Sequence, residues 1–407
     1  MMKEKILTRF LKYISYNTQS DENSNTYPST PALMDFAKLL AEELKTIGLE
    51  NVVCNSYGIV MAQLPANTDK NIPSIGFIAH MDTSPDFSGA DIHPQIIENY
   101  NGENIPLNAE NELDTATFKD LKNYIGQTII CTDGTTLLGA DDKAGVTEII
   151  CAMEYLIQHP EIHHGTICIA FTPDEEIGRG VDNFHVDDFK AQFAYTIDGG
   201  KIGEIEYENF NAAQAEISIH GKNTHPGEAK GVMVNSQLIA MELQSMLPER
   251  ERPELTAGHE GFFLLTSMTG CVESTTLKYI IRDHDKQLFE NKKNILLQIV
   301  ATLNKKYNNC IACQIRDQYY NMKEKIAPVQ FIVDIAKEAA LQAGVEPIIV
   351  PIRGGTDGAI LSYKGLPCPN LFTGGHNFHG KFEYVVLESM EKSVETIINI
   401  VKIFAER

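Results

Sequence analysis

His80-Met81-Asp82, Asp141-Asp142, Asp174-Glu175-Glu176, Asp198 and His379 follow one another along this chain, most of them directly after an apolar, strand-like run. Two imidazoles and several carboxylates drawn from distant segments make the nitrogen and oxygen donor set that suits zinc, cobalt or manganese. They also leave a carboxylate over for proton chemistry. In His80-Met81-Asp82 the i, i+2 spacing puts both side chains on one side of an extended backbone, so Asp82 can accept the second ring N–H of His80. A buried His paired with Asp for stability alone has the same pattern. In Leu138-Gly-Ala-Asp-Asp-Lys-Ala-Gly145 two adjacent carboxylates stand between an apolar run and a helix rich in small residues, where one of them could bridge two cations. A helix-capping loop is the plainer alternative. The three consecutive acids of Phe171-Thr-Pro-Asp-Glu-Glu-Ile-Gly178 repel one another unless a cation or proton neutralises them, and neighbouring Glu residues can divide the work of ligand and general base. A solvated turn competes with that reading. Asp198-Gly199-Gly200 follows another apolar strand, although Asp-Gly is also a common turn. His379 shares its Gly-rich loop with His376, and the residues alone leave the choice between them open.

The elements that must position these groups alternate between helix and strand over the first 200 residues, the order that gives a mainly parallel sheet flanked by helices. Ile75–Ala79, Thr166–Phe171 and Phe193–Ile197 are short apolar runs of the kind found where both faces of a sheet are covered, and each ends at a candidate ligand. An amphipathic helix over residues 1–17 carries Ile6, Leu7, Phe10, Leu11 and Ile14 on one face. Another starts at Thr30-Pro31, with Thr30 as cap and Gly48 as stop. After about residue 210 the pattern changes, because Ala213, Ala215, Ile217 and Ile219 alternate with polar residues as in a strand covered on one face. That strand, a helix carrying Ile239, Leu243, Met246 and Leu247, a strand around Leu277 to Ile281, a helix through Leu288 and Leu303 and a strand at Cys310 to Arg316 suggest a small βαββαβ-like sandwich. The α/β style returns near 325, with a helix at Phe331 to Gln342, strands near 347–350 and 369–372 and a terminal helix from about Tyr384. The expected organisation is thus a domain of residues 1–209 and 323–407 with residues 210–322 inserted into it. The stretch from Pro85 to Gly126 shows no interpretable period.

Composition narrows the partners. A formal charge of −21 over 407 residues argues against nucleic acid and anionic membrane surfaces, whose phosphates would be repelled. The first 17 residues place five charged side chains among their apolar ones, unlike a signal peptide, and no apolar stretch is long enough to span a bilayer. The eight cysteines are scattered through a large chain rather than packed into a small framework, so reduced core thiols and a soluble, cytoplasmic protein are expected. Cys310-Ile-Ala-Cys313 is a lone CxxC with no second pair and is given no role.

Taken together, His80-Met-Asp82, Gly139-Ala-Asp-Asp-Lys-Ala-Gly145, Pro173-Asp-Glu-Glu176, Asp198-Gly-Gly200, Gly221-Lys-Asn-Thr-His-Pro-Gly227 and Arg353-Gly-Gly-Thr-Asp357 resemble the M20 family of dinuclear zinc exopeptidases. The likeness runs from the first helix to the last. Thr132-Asp-Gly-Thr-Thr-Leu-Leu-Gly-Ala-Asp-Asp-Lys-Ala-Gly145 and Pro173-Asp-Glu-Glu-Ile-Gly-Arg-Gly180 are specific to a branch that releases the N-terminal residue from tripeptides. The resemblance implies that Asp141 bridges two Zn²⁺ ions, which Co²⁺ or Mn²⁺ could replace. It gives His80 and Asp198 to one ion and Glu176 and His379 to the other, and so prefers His379 to His376. It makes Glu175 the general base, with Asp82 orienting His80, and implies a cis peptide between Asp141 and Asp142. His225 is nominated as an oxyanion donor of the inserted domain, which is expected to dimerise. Arg282 and Arg353 are nominated to grip the carboxylate of a small peptide. Two other functions share these motifs in part. A dipeptidase or acyl-amino-acid amidohydrolase would keep the same ligands, whereas a non-catalytic metal-binding module would have no use for Glu175.

Overall fold

The computed structural model describes residues 2–407. The chain divides into two compact units: the first runs to Tyr207 and resumes over Glu324–Val350 and Thr356–Arg407, and the second takes Glu208–Lys323 and Pro351–Gly355. Arg353 therefore belongs to the second unit.

The first unit is built on an eight-stranded mixed sheet. Its spatial order is Glu50–Cys54, Val60–Leu64, Ile167–Thr172, Ile75–His80, Phe193–Gly199, Asn370–Phe372, Glu204–Glu206 and Ile348–Ile349. The central strands Ile167–Thr172, Ile75–His80, Phe193–Gly199 and Asn370–Phe372 are parallel neighbours. Both faces of this centre are covered, which is why its strands are apolar without alternation. On one side Phe189 and Leu361 pack with Ile78, Ala170 and Ala194. On the other, Phe77 stacks with Tyr195, whose hydroxyl donates to the Ile332 carbonyl at 2.8 Å. Helix Ala140–Gln158 comes so close to strand Phe193–Gly199 that a Cβ on Gly145 would lie 1.8 Å from the Ile197 carbonyl oxygen, and only glycine fits there. Parallel strands in register carry their following loops to one edge, and His80, the turn after Thr172, Asp198 and the loop after Phe372 all gather at that carboxyl edge.

The second unit is a four-stranded antiparallel sheet, ordered Phe262–Gly270, Ser274–Asp283, Asn211–His220 and Ile311–Tyr319. Helices Ser236–Met246 and Lys286–Lys306 pack on it through Ile239, Leu243, Phe289, Leu296 and Leu303, against Ala215, Ile217, Tyr279 and Ile281.

Several expectations change. Strand Phe262–Gly270 supplies the further β element of the expected βαββαβ order. Its second half lies in solvent, so no alternation marks it. The terminal helix starts at Leu387, and Tyr384–Val386 is instead a strand. That strand joins Gly375–His376, Ile129–Thr132 and Pro94–Ile97 in a second small sheet, which gives the uninterpreted 85–126 stretch its place. Thr30 is the N-cap residue of helix Pro31–Ile47, as expected, but its side chain accepts no capping bond and its hydroxyl donates to the Gln19 carbonyl. Met246 and Leu288, expected in helix core faces, are exposed. All eight cysteines are free, and no described helix is long and apolar enough to cross a membrane.

Candidate metal centre

Two sets of three donors form at the carboxyl edge, one from His80, Asp141 and Asp198 and the other from Asp141, Glu176 and His379, with the donor atoms of each set within 4.8 Å of one another. Asp141 is common to both. Its Oδ1 lies 2.9 Å from His80 Nε2, and its Oδ2 lies 3.1 Å from His379 Nε2. Asp198 Oδ1 is 3.4 Å from the same nitrogen of His80, and Glu176 Oε2 is 2.9 Å from that of His379. Each imidazole thus turns one nitrogen towards a pair of carboxylates, and the two pairs share a residue. His80 is buried, whereas the His379 side chain is 41% exposed, so the cluster opens to solvent on the His379 side.

Burial works against a charge on His80, yet Asp198 and Asp141 hold its imidazole protonated well above the ordinary range. Hydrogen bonds to Asp141 and Glu176 push His379 up to about 11. Burial and the neighbouring Asp141 push Glu176 up to about 8. Carboxylates crowded this closely favour a bound proton or a bound cation. Glu176 Oε1 is a buried oxygen without a protein partner. Three carboxylates and two imidazoles form an N/O donor set that fits divalent first-row ions.

Glu175 belongs to neither donor set among the described residues. Burial drives its carboxyl well above the usual carboxylate range, with Asp198, Asp357 and Glu176 adding to the effect against His80. Its backbone is fixed by Asp82, whose Oδ1 accepts the Glu175 N–H at 3.0 Å and whose Oδ2 accepts the Glu176 N–H at 3.1 Å. The expected contact of Asp82 with His80 takes a different form. The Nδ1 of His80 lies 3.0 Å from the Asp82 backbone carbonyl and 3.4 Å from its carboxylate. Asp174, just before this turn, adopts a left-handed backbone with φ of 61°, and its Oδ2 accepts the Ser29 N–H at 2.8 Å.

Asp142 and Asp357 support the site from beside the two donor sets. Asp142, joined to Asp141 by a cis peptide bond, accepts the backbone N–H of His80 through Oδ2 and that of Gly145 through Oδ1, both at 3.1 Å. Asp357 is buried beside Glu175 and accepts the Thr172 hydroxyl at 2.8 Å. A Cβ on Gly180 would fall 2.5 Å from both of its carboxylate oxygens. Asp357 closes the Arg353-Gly-Gly-Thr-Asp357 motif, and that position was its only signal in the sequence. His376, the rejected histidine, stacks on Tyr384 and bonds the Tyr124 hydroxyl at 2.9 Å, and burial brings its imidazole down to about 4.

The three remaining candidates lie in the second unit. His225 precedes a short 3-10 turn and accepts the Gly227 N–H through Nδ1 at 3.2 Å. Arg282 lies over the Tyr319 ring and donates from Nη1 to the carbonyls of Ala213 and Ile281. Arg353 directs Nη1 to the carbonyls of Gly258 and Glu260, and Nη2 to the carbonyl and hydroxyl of Thr256.

Residues 207–309 match the peptidase dimerisation domain of the M20 group. Solved structures with the same fold include aminopeptidase PepT from Bacillus cereus, with a TM-score of 0.79 at 23% identity over 99% of both chains. A tripeptidase from Staphylococcus aureus follows at 0.78 and 21%, over 100% of this chain and 99% of its own. The Bacillus subtilis YXEP protein, described as a dinuclear metal binding peptidase from the M20 family, aligns over 99% of both chains with a TM-score of 0.67 at 15% identity. Among curated proteins, peptidase T of Caldanaerobacter subterraneus subsp. tengcongensis is 61% identical over 406 residues, covering 99% of each chain. Peptidase T of Alkaliphilus oremlandii is 59% identical over 406 residues, covering 98% of this chain and 99% of its own. With identity this high along essentially the whole length, the chain belongs to the peptidase T family.

Proposed function

We propose that this chain is a metal-dependent aminopeptidase that releases the N-terminal residue from tripeptides. The activity follows from membership of the peptidase T family, and a structural neighbour described as a tripeptidase supports it. The observation that carries the reading is a carboxylate, Glu175, held beside two donor sets joined by Asp141 and belonging to neither.

In this reading His80, Asp141 and Asp198 would hold one zinc ion and Asp141, Glu176 and His379 a second. Cobalt or manganese suits the same donors. Such ions, when bound, polarise the scissile carbonyl and make a neighbouring water acidic. The Glu175 carboxylate takes the proton of the attacking water and delivers it to the leaving amine. Asp82 fixes the backbone on which Glu175 stands. His225 stabilises the oxyanion, and Arg282 and Arg353 bind the terminal carboxylate of the peptide, roles that rest on the family resemblance. Both terminal nitrogens of Arg353 already serve the 256–260 loop, which favours Arg282 as the principal grip. The match to a dimerisation domain supports a homodimer formed through residues 210–322. Eight free thiols suit the reducing cytoplasm.

A substrate panel tests the proposal. Zinc-loaded protein is assayed on free tripeptides, dipeptides, amino-blocked tripeptides and acylated amino acids. Free tripeptides are expected to be cleaved fastest. Preference for blocked peptides or acylated amino acids would overturn the aminopeptidase reading, and preference for dipeptides would overturn the chain-length claim.

A further inference from the structure

Glu383 lies four residues beyond His379 and is buried, with 1% exposure. Its Oε2 accepts the backbone N–H groups of Leu138 at 2.7 Å and Gly139 at 2.9 Å, and its Oε1 accepts that of Asp141 at 3.1 Å. One carboxylate is therefore seated in three consecutive-turn amides of the segment that presents Asp141. Three backbone N–H donors converging on one buried side chain fix the segment to it in both position and direction. The left-handed Gly139, with φ of 76°, lets the segment curl around the carboxylate. On its own side, the Glu383 N–H donates to the Gly380 carbonyl at 3.1 Å, closing the turn that begins directly after His379. Nearby, the buried Lys143 side chain is anchored by a 2.6 Å bond from its Nζ to the Tyr16 carbonyl.

We infer that Glu383 is a positioning residue that locks the Asp141 segment and the His379 loop into one register, so that both side chains reach a shared ion together. Asp141 and His379 are 238 residues apart in sequence, and His379 stands on an exposed Gly-rich loop. Each ligand held separately would have to be ordered on metal binding, and a single buried carboxylate orders both beforehand. The inference rests on Asp141 and His379 being ligands, as proposed above.

The test uses zinc and the full chain. Stepwise zinc affinities are measured by competition with a chromophoric chelator for the native protein, for Glu383→Gln and for Glu148→Gln. Glu148 is the control because it is buried in the same helix and bonds Ser393 Oγ at 2.5 Å. The native protein and Glu148→Gln are expected to bind two ions alike, and Glu383→Gln to lose 10- to 100-fold in at least one step, the loss typical of partners that orient ligands. Unchanged affinities in a folded Glu383→Gln would overturn the inference, as would an equal loss in Glu148→Gln. Hydrogen exchange on the metal-free native protein gives a readout independent of how the variant folds. The amides of Leu138, Gly139 and Asp141 are expected to be protected like strand Ile129–Thr132 before zinc is added. Free exchange at those amides would also overturn the inference. A native protein that bound fewer than two ions would instead refute the ligand assignment itself.

Discussion

Asp82 holds Glu175 by its backbone: the carboxylate Oδ1 accepts the Glu175 N–H at 3.0 Å, and the second oxygen takes the next amide, that of Glu176. A proposed base and a proposed ligand are thus set by one buried acid from the loop that follows strand Ile75–His80. Asp82→Asn replaces one acceptor with a donor that faces an N–H, so one of the two bonds must fail. The expected result is a fall in kcat of roughly 10- to 100-fold, as for other orienting partners, with two metal ions still bound. Kinetics paired with elemental analysis check it, and native kcat in the variant would remove the role given to Asp82.

Arg282 is argued to bind the peptide's carboxylate. A charge-assisted bond contributes about 1.5–3 kcal/mol, so Arg282→Ala should lower kcat/KM for free tripeptides by roughly 10- to 100-fold. C-terminally amidated tripeptides should suffer much less. Equal losses on both substrates would show that Arg282 does not read the carboxylate.

Gly145 is where helix Ala140–Gln158 touches the sheet, and Gly145→Ala would drive a methyl group into the Ile197 carbonyl and the Asp142 carboxylate. Backbone cannot yield cheaply there, so the expected loss is on the order of 3 kcal/mol, the upper end for overpacking. Denaturant unfolding measures it. A variant as stable as the native protein would mean that the helix sits farther from the sheet than described.

His376 predicts a pH dependence separate from catalysis. Burial lowers its folded pKa to about 4, against an ordinary value of 6.5. The unfolded chain therefore binds a proton that the folded one refuses as pH falls from 6.5 towards 4, and stability drains through that window. For one such group the loss is on the order of 3 kcal/mol. His376→Phe forfeits the Tyr124 bond near neutrality but escapes this loss, so the stability gap between variant and native protein should narrow or reverse by pH 4.5. A gap constant from pH 7 to 4.5 would contradict the buried neutral imidazole.

Much of this was legible in the sequence because the central strands are short apolar runs, and parallel packing sends whatever follows them to one edge. His80, Glu176 and Asp198 announced themselves by standing at such ends. His379 did not, since only the family resemblance separated it from His376. The structure gives the physical difference, a ring stacked on Tyr384 against one turned to Asp141 and Glu176. Glu383 and Asp357 were missed because they act on backbone amides, a hydroxyl or a neighbouring charge across long sequence separations, and no local period encodes such partners. Strand Phe262–Gly270 was missed because its outer half is exposed and carries no alternation. The 85–126 stretch was unreadable because its strand Pro94–Ile97 is completed by Ile129–Thr132, beyond its own bounds, and its other two strands, Ile105–Pro106 and Glu112–Leu113, are only two residues each.

The most direct test concerns the carboxylate that belongs to neither donor set. Glu175→Gln preserves shape while removing the proton acceptor, so metal content and tripeptide turnover are measured on the same preparation. The account predicts two metal ions per chain, as in the native protein, with kcat reduced by roughly 100- to 10,000-fold, the range general acid–base catalysis contributes. Loss of a metal ion would show that Glu175 is a ligand, and turnover near the native rate would show that it is not the base.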